Sequence, residues 1–180
     1  VTESRKAAES LRESEQRLKI LFEFAPDGIY LCDLEGNFTD GNRVAGELTG
    51  YAREELIGRN FAEVGLLWPH EIPKAIANLG KVAAGEPAGP DEFTLRRKDG
   101  TQVVVEIRTY PVRINNQNLS LGIARDITER KKAERLLRKE RDKAQQYLDI
   151  AAVMMVAVDS EQRVGLINDK GCEILGYAEE

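Results

Sequence analysis

Three side chains in this sequence could carry nucleophilic, redox or metal chemistry: the single histidine, His70, and the two cysteines, Cys32 and Cys172. His70 precedes Glu71, the order found at phosphoacceptor histidines. However, Pro73 interrupts the segment, the expected arginine and later proline are missing, and no glycine-rich ATP-binding motif follows, which argues against autophosphorylation. The cysteines stand far apart, with no CxxC and no metal-ligand spacing, so neither a disulfide framework nor a metal site is read from them. Cys32 ends the apolar run Ile29-Tyr30-Leu31-Cys32 and reads as a small buried hydrophobe. No pair of carboxylates and no nucleophile with a base occurs at a recognisable spacing, so the chain reads as a binding or relay module and not as an enzyme.

One stretch must organise such a module. From Asn118 to Ala124, apolar Leu119, Leu121 and Ile123 alternate with small Ser120, Gly122 and Ala124, the period of a strand with one face buried. Arg125-Asp126-Ile127-Thr128-Glu129-Arg130 follows at once. Thr128 reads as an N-cap, Glu129 as favourable charge in the first turn, and the charged run to Lys143 as a solvated helix. Asp126 and Thr128 therefore mark a junction where a sheet passes directly into a long helix.

Composition narrows the classes further. With 180 residues and 42% hydrophobic content, the chain can bury one full core and part of another. A net charge of -5 with no basic face excludes a nucleic-acid footprint. The apolar run from Ala151 to Val158 falls far short of the ~20 residues needed to span a bilayer, so the chain reads as cytoplasmic, with any anchor elsewhere in a parent protein.

Gly50-Tyr51-Ala52-Arg53-Glu54 recurs as Gly176-Tyr177-Ala178-Glu179-Glu180, an offset of 126 residues that extends along the chain without a gap. Thr2, Glu3, Lys6, Ala7, Leu11 and Arg12 match Thr128, Glu129, Lys132, Ala133, Leu137 and Arg138. Ala25, Asp33, Glu35, Asn42 and Glu47 match Ala151, Asp159, Glu161, Asn168 and Glu173. The repeating unit is a connecting helix followed by a globular module. The expected organisation is a connecting helix at 1–22, a complete module at 23–126, a linking helix at 127–148 and the start of a second module at 149–180. That last piece lacks the rest of its sheet, so it cannot bury its own apolar strand, Val153 to Val158, and should be disordered, helical or packed on a partner chain.

Within the first unit, a polar helix carries a thin seam of Ala7, Leu11, Leu18, Leu21 and Ala25 at heptad spacing, which the repeat makes a two-fold dimer seam. Pro26-Asp27-Gly28 breaks it. Strands follow at 29–32 and 38–40 around Asp33-Leu34-Glu35-Gly36-Asn37, and Asn42 caps a helix that Gly50 stops. A short helix lies near 51–56. Pro69 suits the first turn of a helix with Ile72, Ile76, Leu79 and Val82 on its apolar face. A three-stranded meander closes the unit, with Phe93–Arg96 and Val103–Ile107 joined through Asp99-Gly100.

In order, Ala25-Pro26-Asp27-Gly28-Ile29, Asp33-Leu34-Glu35-Gly36, Asn42, Gly50-Tyr51, Glu54-Glu55-Leu56-Ile57-Gly58, Arg97-Lys98-Asp99-Gly100 and Asp126-Ile127-Thr128-Glu129-Arg130 closely resemble PAS domains with their C-terminal PAC segment. The resemblance covers about residues 23 to 130. It implies an α+β fold, a five-stranded antiparallel sheet with short helices on one face, flanked by long N- and C-terminal helices. It also implies a pocket between sheet and helices, for which Phe38, Val44, Leu48, Phe61, Leu67, Trp68, Ile76, Leu121 and Ile123 are the candidate lining residues, with Asp126 and Thr128 as the relay junction. The partners it implies are a second copy bound through the flanking helices, a downstream transmitter of the histidine kinase or diguanylate cyclase type in the same chain, and a small-molecule ligand. A spacer and dimerisation module without ligand is the alternative. The flavin-binding branch uses Asn-Cys-Arg-Phe-Leu-Gln, which is missing here, and His70 has no second anchoring residue beside it for heme, so neither flavin nor heme is expected and the ligand is left open. The freshly purified protein should accordingly be colourless. An absorption spectrum with a Soret or flavin band at near-stoichiometric level would overturn that expectation.

Overall fold

The stretch at 117–126 becomes β5 (Gln117–Asp126), the central strand of a five-stranded antiparallel sheet, in a computed structural model that describes residues 2–150 and 156–176. Val1, residues 151–155 and residues 177–180 lie outside the described residues, and with them the start of the strand expected at 153–158 and the second Gly-Tyr motif beyond Gly176. The chain divides into two units, residues 1–129 and 130–180.

In the first unit α1 (Thr2–Glu23) leads into β1 (Gly28–Cys32), β2 (Phe38–Gly41), α2 (Arg43–Thr49), α3 (Arg53–Leu56), α4 (Ile72–Ala83), β3 (Ala88–Arg96), β4 (Gln102–Ile114) and β5. The sheet order is β2-β1-β5-β4-β3. β5, the last strand of this unit, thus lies between β1 and β4, and this long-range pairing joins the β1–β2 pair to the β3–β4–β5 meander, leaving β2 and β3 as the sheet edges. Helices α2 and α4 pack on one face of the sheet. The core beneath them holds Leu48, Phe93, Leu95, Val103, Val105, Ile107 and Ala124, and a second cluster of Cys32, Phe38, Leu56 and Leu66 continues it. Tyr30 packs against both.

Three local expectations are corrected. In β5 the face toward the helices carries Ser120, Gly122 and Ala124, all buried, while Leu121 and Ile123 lie half-buried on the outer face opposite Leu31 and Ile29. The alternation was legible but its parity was reversed, because the Tyr30 ring occupies the inner face: a Cβ at Gly122 would sit 2.1 Å from Tyr30 Cζ, so only glycine fits there. Helix α4 begins at Ile72 with Pro73 in its first turn, in place of Pro69, since the buried Glu71 carboxylate is held at that end by the Thr94 N–H (2.9 Å). β3 begins at Ala88, earlier than Phe93, with a bulge between Ala88 and Asp91.

Asn42 shows why the helix α1, the strand β1 and the helix α2 meet where they do. It is 3% exposed, and its Oδ1 accepts from the Ile29 N–H (2.9 Å) and the Ala45 N–H (3.0 Å), while its Nδ2 donates to the Phe22 and Asp27 carbonyls (both 3.0 Å). All four hydrogen-bonding positions of the amide are used.

The second unit contains most of α5 (Thr128–Ile150), then β6 (Val156–Val158), β7 (Val164–Ile167) and α6 (Asp169–Leu175). The offset of 126 holds at the level of single hydrogen bonds. Asp33 Oδ1 accepts from the Glu35 and Asn37 N–H groups, and Asp159 Oδ1 from those of Glu161 and Arg163. Asn42 caps α2 through the Ala45 N–H and Asn168 caps α6 through the Gly171 N–H, and the helices end at left-handed Gly50 and Gly176. A β6–β7 hairpin therefore forms where a disordered or helical segment was among the expectations, because turn and cap are specified locally. Its apolar residues remain in the open, with Val158 55% and Val164 61% exposed.

Asn42→Ala should lower stability by about 3 kcal/mol through loss of the cap and orphaning of buried groups. Asn42→Asp should keep the two accepted bonds but set a carboxylate against the Phe22 and Asp27 carbonyls, freeing the end of α1. Urea midpoints and amide exchange at residues 20–24 would measure both.

Candidate functional site

Between the inner face of the sheet and the helices lies a cavity of about 120 Å³. β1 supplies Tyr30 and Cys32, β2 Phe38, β4 Ile107 and Thr109, β5 Ser120 and Ala124, and the helical side adds Leu48, Ala75, Asn78 and Leu79. Along β1, β4 and β5 the lining residues lie on one face, because only one face of a pleated strand can point inward. Tyr30 and Phe38 meet edge to face, with ring centroids 5.8 Å apart at 73°.

Of the residues singled out from sequence, Phe38, Leu48, Phe61 and Leu67 line this cavity. Five others do not. Val44 packs against the core cluster, Trp68 lies under the Arg96 guanidinium (5.5 Å to the ring centroid), Ile76 is 55% exposed, and Leu121 and Ile123 are on the opposite face of the sheet. Sequence reasoning passed over Tyr30, Thr109, Ser120 and Asn78. The alternation in β5 already contained Ser120, and choosing its small, polar face would have found it.

Electrostatics inside the cavity favour neutral groups. Burial pushes the Cys32 thiol up to about 12 from an ordinary value of 9.0, with the negative charge of Asp33 adding to the effect. Burial likewise raises the Tyr30 phenol, with Cys32 as the smaller cause. Both groups are therefore protonated at neutral pH. Arg53 and Asp40, the two charged residues on the lining, pair with each other at 2.5 Å, and Arg53 also reaches Glu23 at 3.5 Å. Outside the cavity, Glu71 Oε2 is buried with no hydrogen-bond partner among the described residues. His70 is exposed, and among the described residues no cluster of three His, Cys, Asp or Glu could hold a metal ion.

The junction predicted at Asp126 and Thr128 is built differently from a simple cap. α5 starts at Thr128 itself, and Asp126 Oδ1 accepts the Thr128 N–H (2.8 Å). The Thr128 hydroxyl accepts the Val104 N–H (3.0 Å), and the Ile127 N–H donates to the Val104 carbonyl (2.9 Å), which staples the first residue of the helix to the start of β4. Alongside, Arg125 makes a two-pronged contact with Asp27, Nε to Oδ1 at 3.1 Å and Nη2 to Oδ2 at 2.8 Å.

The site is thus a small cavity between an antiparallel sheet and short helices, with a long helix beginning where β5 ends. The chain belongs to the PAS domain family, whose pattern matches residues 26–129. It is 31% identical over 130 residues to the methyl sulfide methyltransferase-associated sensor of Methanosarcina acetivorans, covering 71% of this chain and 13% of that protein. It is 26% identical over 139 residues to sporulation kinase E of Bacillus subtilis, covering 77% and 18%. The chain thus spans less than a fifth of either relative. Among solved structures, the PAS domain of an HTR-like protein from Haloarcula marismortui superposes with a TM-score of 0.60 at 28% identity, over 68% of this chain and 99% of that one. Among the described residues no helix is long and apolar enough to cross a membrane.

The raised thiol has a signed consequence. Between the ordinary cysteine value and about 12, the folded chain keeps a proton that the unfolded chain has lost, so the contribution of Cys32 is fully present below the unfolded value and is lost as pH rises. Stability should fall more steeply from pH 8 to pH 11 in the wild type than in Cys32→Ala, as followed by urea midpoints. At pH 7 a thiolate-directed reagent should modify half-buried Cys172 before buried Cys32.

Proposed function

We propose that the chain is a sensory and dimerisation module of a longer signal-transduction protein, in which the state of the cavity is relayed through Asp126 and Thr128 into α5 and on to a downstream transmitter. The observation that carries this reading is the staple between Thr128 and Val104: a displacement of β4 or β5 acts on the first residue of the helix with no flexible segment between them. A second set of contacts supports it. The end of α1 is held by Asn42, which also holds the Asp27 carbonyl, and the Asp27 carboxylate holds Arg125 next to the junction. Incoming and outgoing helices are thereby joined to the same few residues.

The proposed organisation is a connecting helix at 1–22, the sensory domain at 23–126, a signalling helix at 127–148 and a second, incomplete PAS domain from 149. Dimerisation through the flanking helices is supported by their unburied apolar positions: Leu11, Leu18 and Leu21 are 61–63% exposed, and Leu137, at the position equivalent to Leu11, is 74% exposed. A cytoplasmic transmitter of the histidine kinase or diguanylate cyclase type fits the relatives, which include sporulation kinase E and a probable diguanylate cyclase of Escherichia coli.

If α5 transmits orientation, its rotational phase should matter more than its length. Seven residues inserted near Lys139 add ~10 Å and nearly preserve the facing side, whereas four residues add ~6 Å and turn it about 40° past a full turn. The seven-residue insertion should be the milder one in an assay of output activity in the full-length parent. Equal effects would refute the relay.

A further inference from the structure

Polar side chains inside a protein are almost always hydrogen-bonded, and those that are not call for an occupant. Ser120 is 2% exposed, Thr109 and Asn78 are each 8% exposed, and all three line the cavity. Among the described residues the Ser120, Thr109 and Tyr30 hydroxyls and Asn78 Oδ1 make no hydrogen bond to protein, Asn78 Nδ2 donating to Asp91 Oδ2 (2.8 Å), and unlike Glu71 Oε2 none of these atoms is sealed from water-sized space.

The three hydroxyls converge on one point of the sheet. Thr109 stands opposite Gly122 in the β4–β5 ladder, and Ser120 is two residues along β5 on the same face, so their side chains are diagonal neighbours about 7 Å apart. Tyr30 pairs with Gly122 from β1, and its Cζ lies where a Gly122 side chain would begin. A polar patch of hydroxyls is thus set beside the apolar part of the wall, which includes Phe38, Leu48, Phe61, Phe93, Leu95 and Ile107.

Size and charge limit what can fill the space. At ~10–15 Å³ for each water-sized position, a cavity of about 120 Å³ offers room for roughly eight to twelve such positions, or about ten non-hydrogen atoms. A carboxylate or an amine would be buried without a counter-ion, because Arg53 and Asp40 already neutralise each other.

We propose that the cavity binds a compact, neutral ring compound of about ten non-hydrogen atoms, its apolar body against the aromatic wall and its one hydroxyl or carbonyl group hydrogen-bonded by Ser120, Thr109 and Tyr30. This rests on the reading of the chain as a ligand-sensing module and names the chemical class that the module takes.

The test uses 4-ethylphenol, ethylbenzene and 4-ethylbenzoate as probes on the whole chain, with affinities from calorimetry and contact sites from amide NMR shifts. 4-Ethylphenol should bind in the sub-millimolar range and shift the amides of Tyr30, Thr109, Ser120 and Gly122. Ethylbenzene should bind at least fivefold more weakly, and 4-ethylbenzoate should not bind. Ser120→Ala and the near-isosteric Thr109→Val should each weaken 4-ethylphenol at least fivefold without changing the affinity for ethylbenzene. The proposal is overturned if the benzoate or the hydrocarbon binds as tightly as the phenol, if both folded variants keep wild-type affinity, or if no probe binds at millimolar concentration. The probe comparison in the wild type decides the matter even if a variant does not fold. Failure here leaves the helix-insertion result untouched, and equal effects of the two insertions would sink the relay while leaving binding intact.

Discussion

The four side-chain hydrogen bonds of Asn42 hold together the end of α1, the start of β1 and the first turn of α2. A buried amide costs stability unless all its donors and acceptors are engaged, and Asn42 engages Phe22, Asp27, Ile29 and Ala45 at once. That requirement fixes the end of α1, the start of β1 and the first turn of α2 relative to one another. β1 then sets the register of β5, since Gly28 to Cys32 pair with Ala124 to Ser120. The position of β5 sets where α5 leaves the sheet.

The inner face of β5 serves two demands. It must be narrow enough for the Tyr30 ring, which Gly122 allows, and it must leave space between sheet and helices, which Ser120 and Ala124 allow. Larger apolar residues there would give a better-filled core and no cavity. Leu121 and Ile123 are displaced to the outer face, where they build cross-strand pairs with Leu31 and Ile29.

The flanking helices follow a different logic. α1 and α5 are polar, with isolated exposed leucines, and each is hydrogen-bonded to the sheet unit at one end: α1 through the Asn42 amide at its C-terminus, α5 through Val104 and Asp126 at its N-terminus.

Much of this architecture was legible before any coordinates, because it is written in local chemistry. The gap-free repeat reappears as matching Asp33 and Asp159 turns, Asn42 and Asn168 caps, and left-handed Gly50 and Gly176, since turns and caps depend on a few adjacent residues. The strands, the Asp99-Gly100 hairpin and the PAS family itself could be read in the same way. The sidedness of β5 could not, for alternation shows that a strand has two faces and not which one looks inward. That was decided by the ring of Tyr30 lying over Gly122, a contact between residues 92 positions apart in sequence. The same holds for Thr128, whose local pattern reads as a helix cap but whose hydroxyl is taken by Val104 of a distant strand. Local sequence determined the elements and their caps and turns, while the start of α4 waits on the long-range bond from Thr94 to Glu71. Long-range packing alone determined which side chains share the cavity, because that depends on pairings between strands that are remote along the chain.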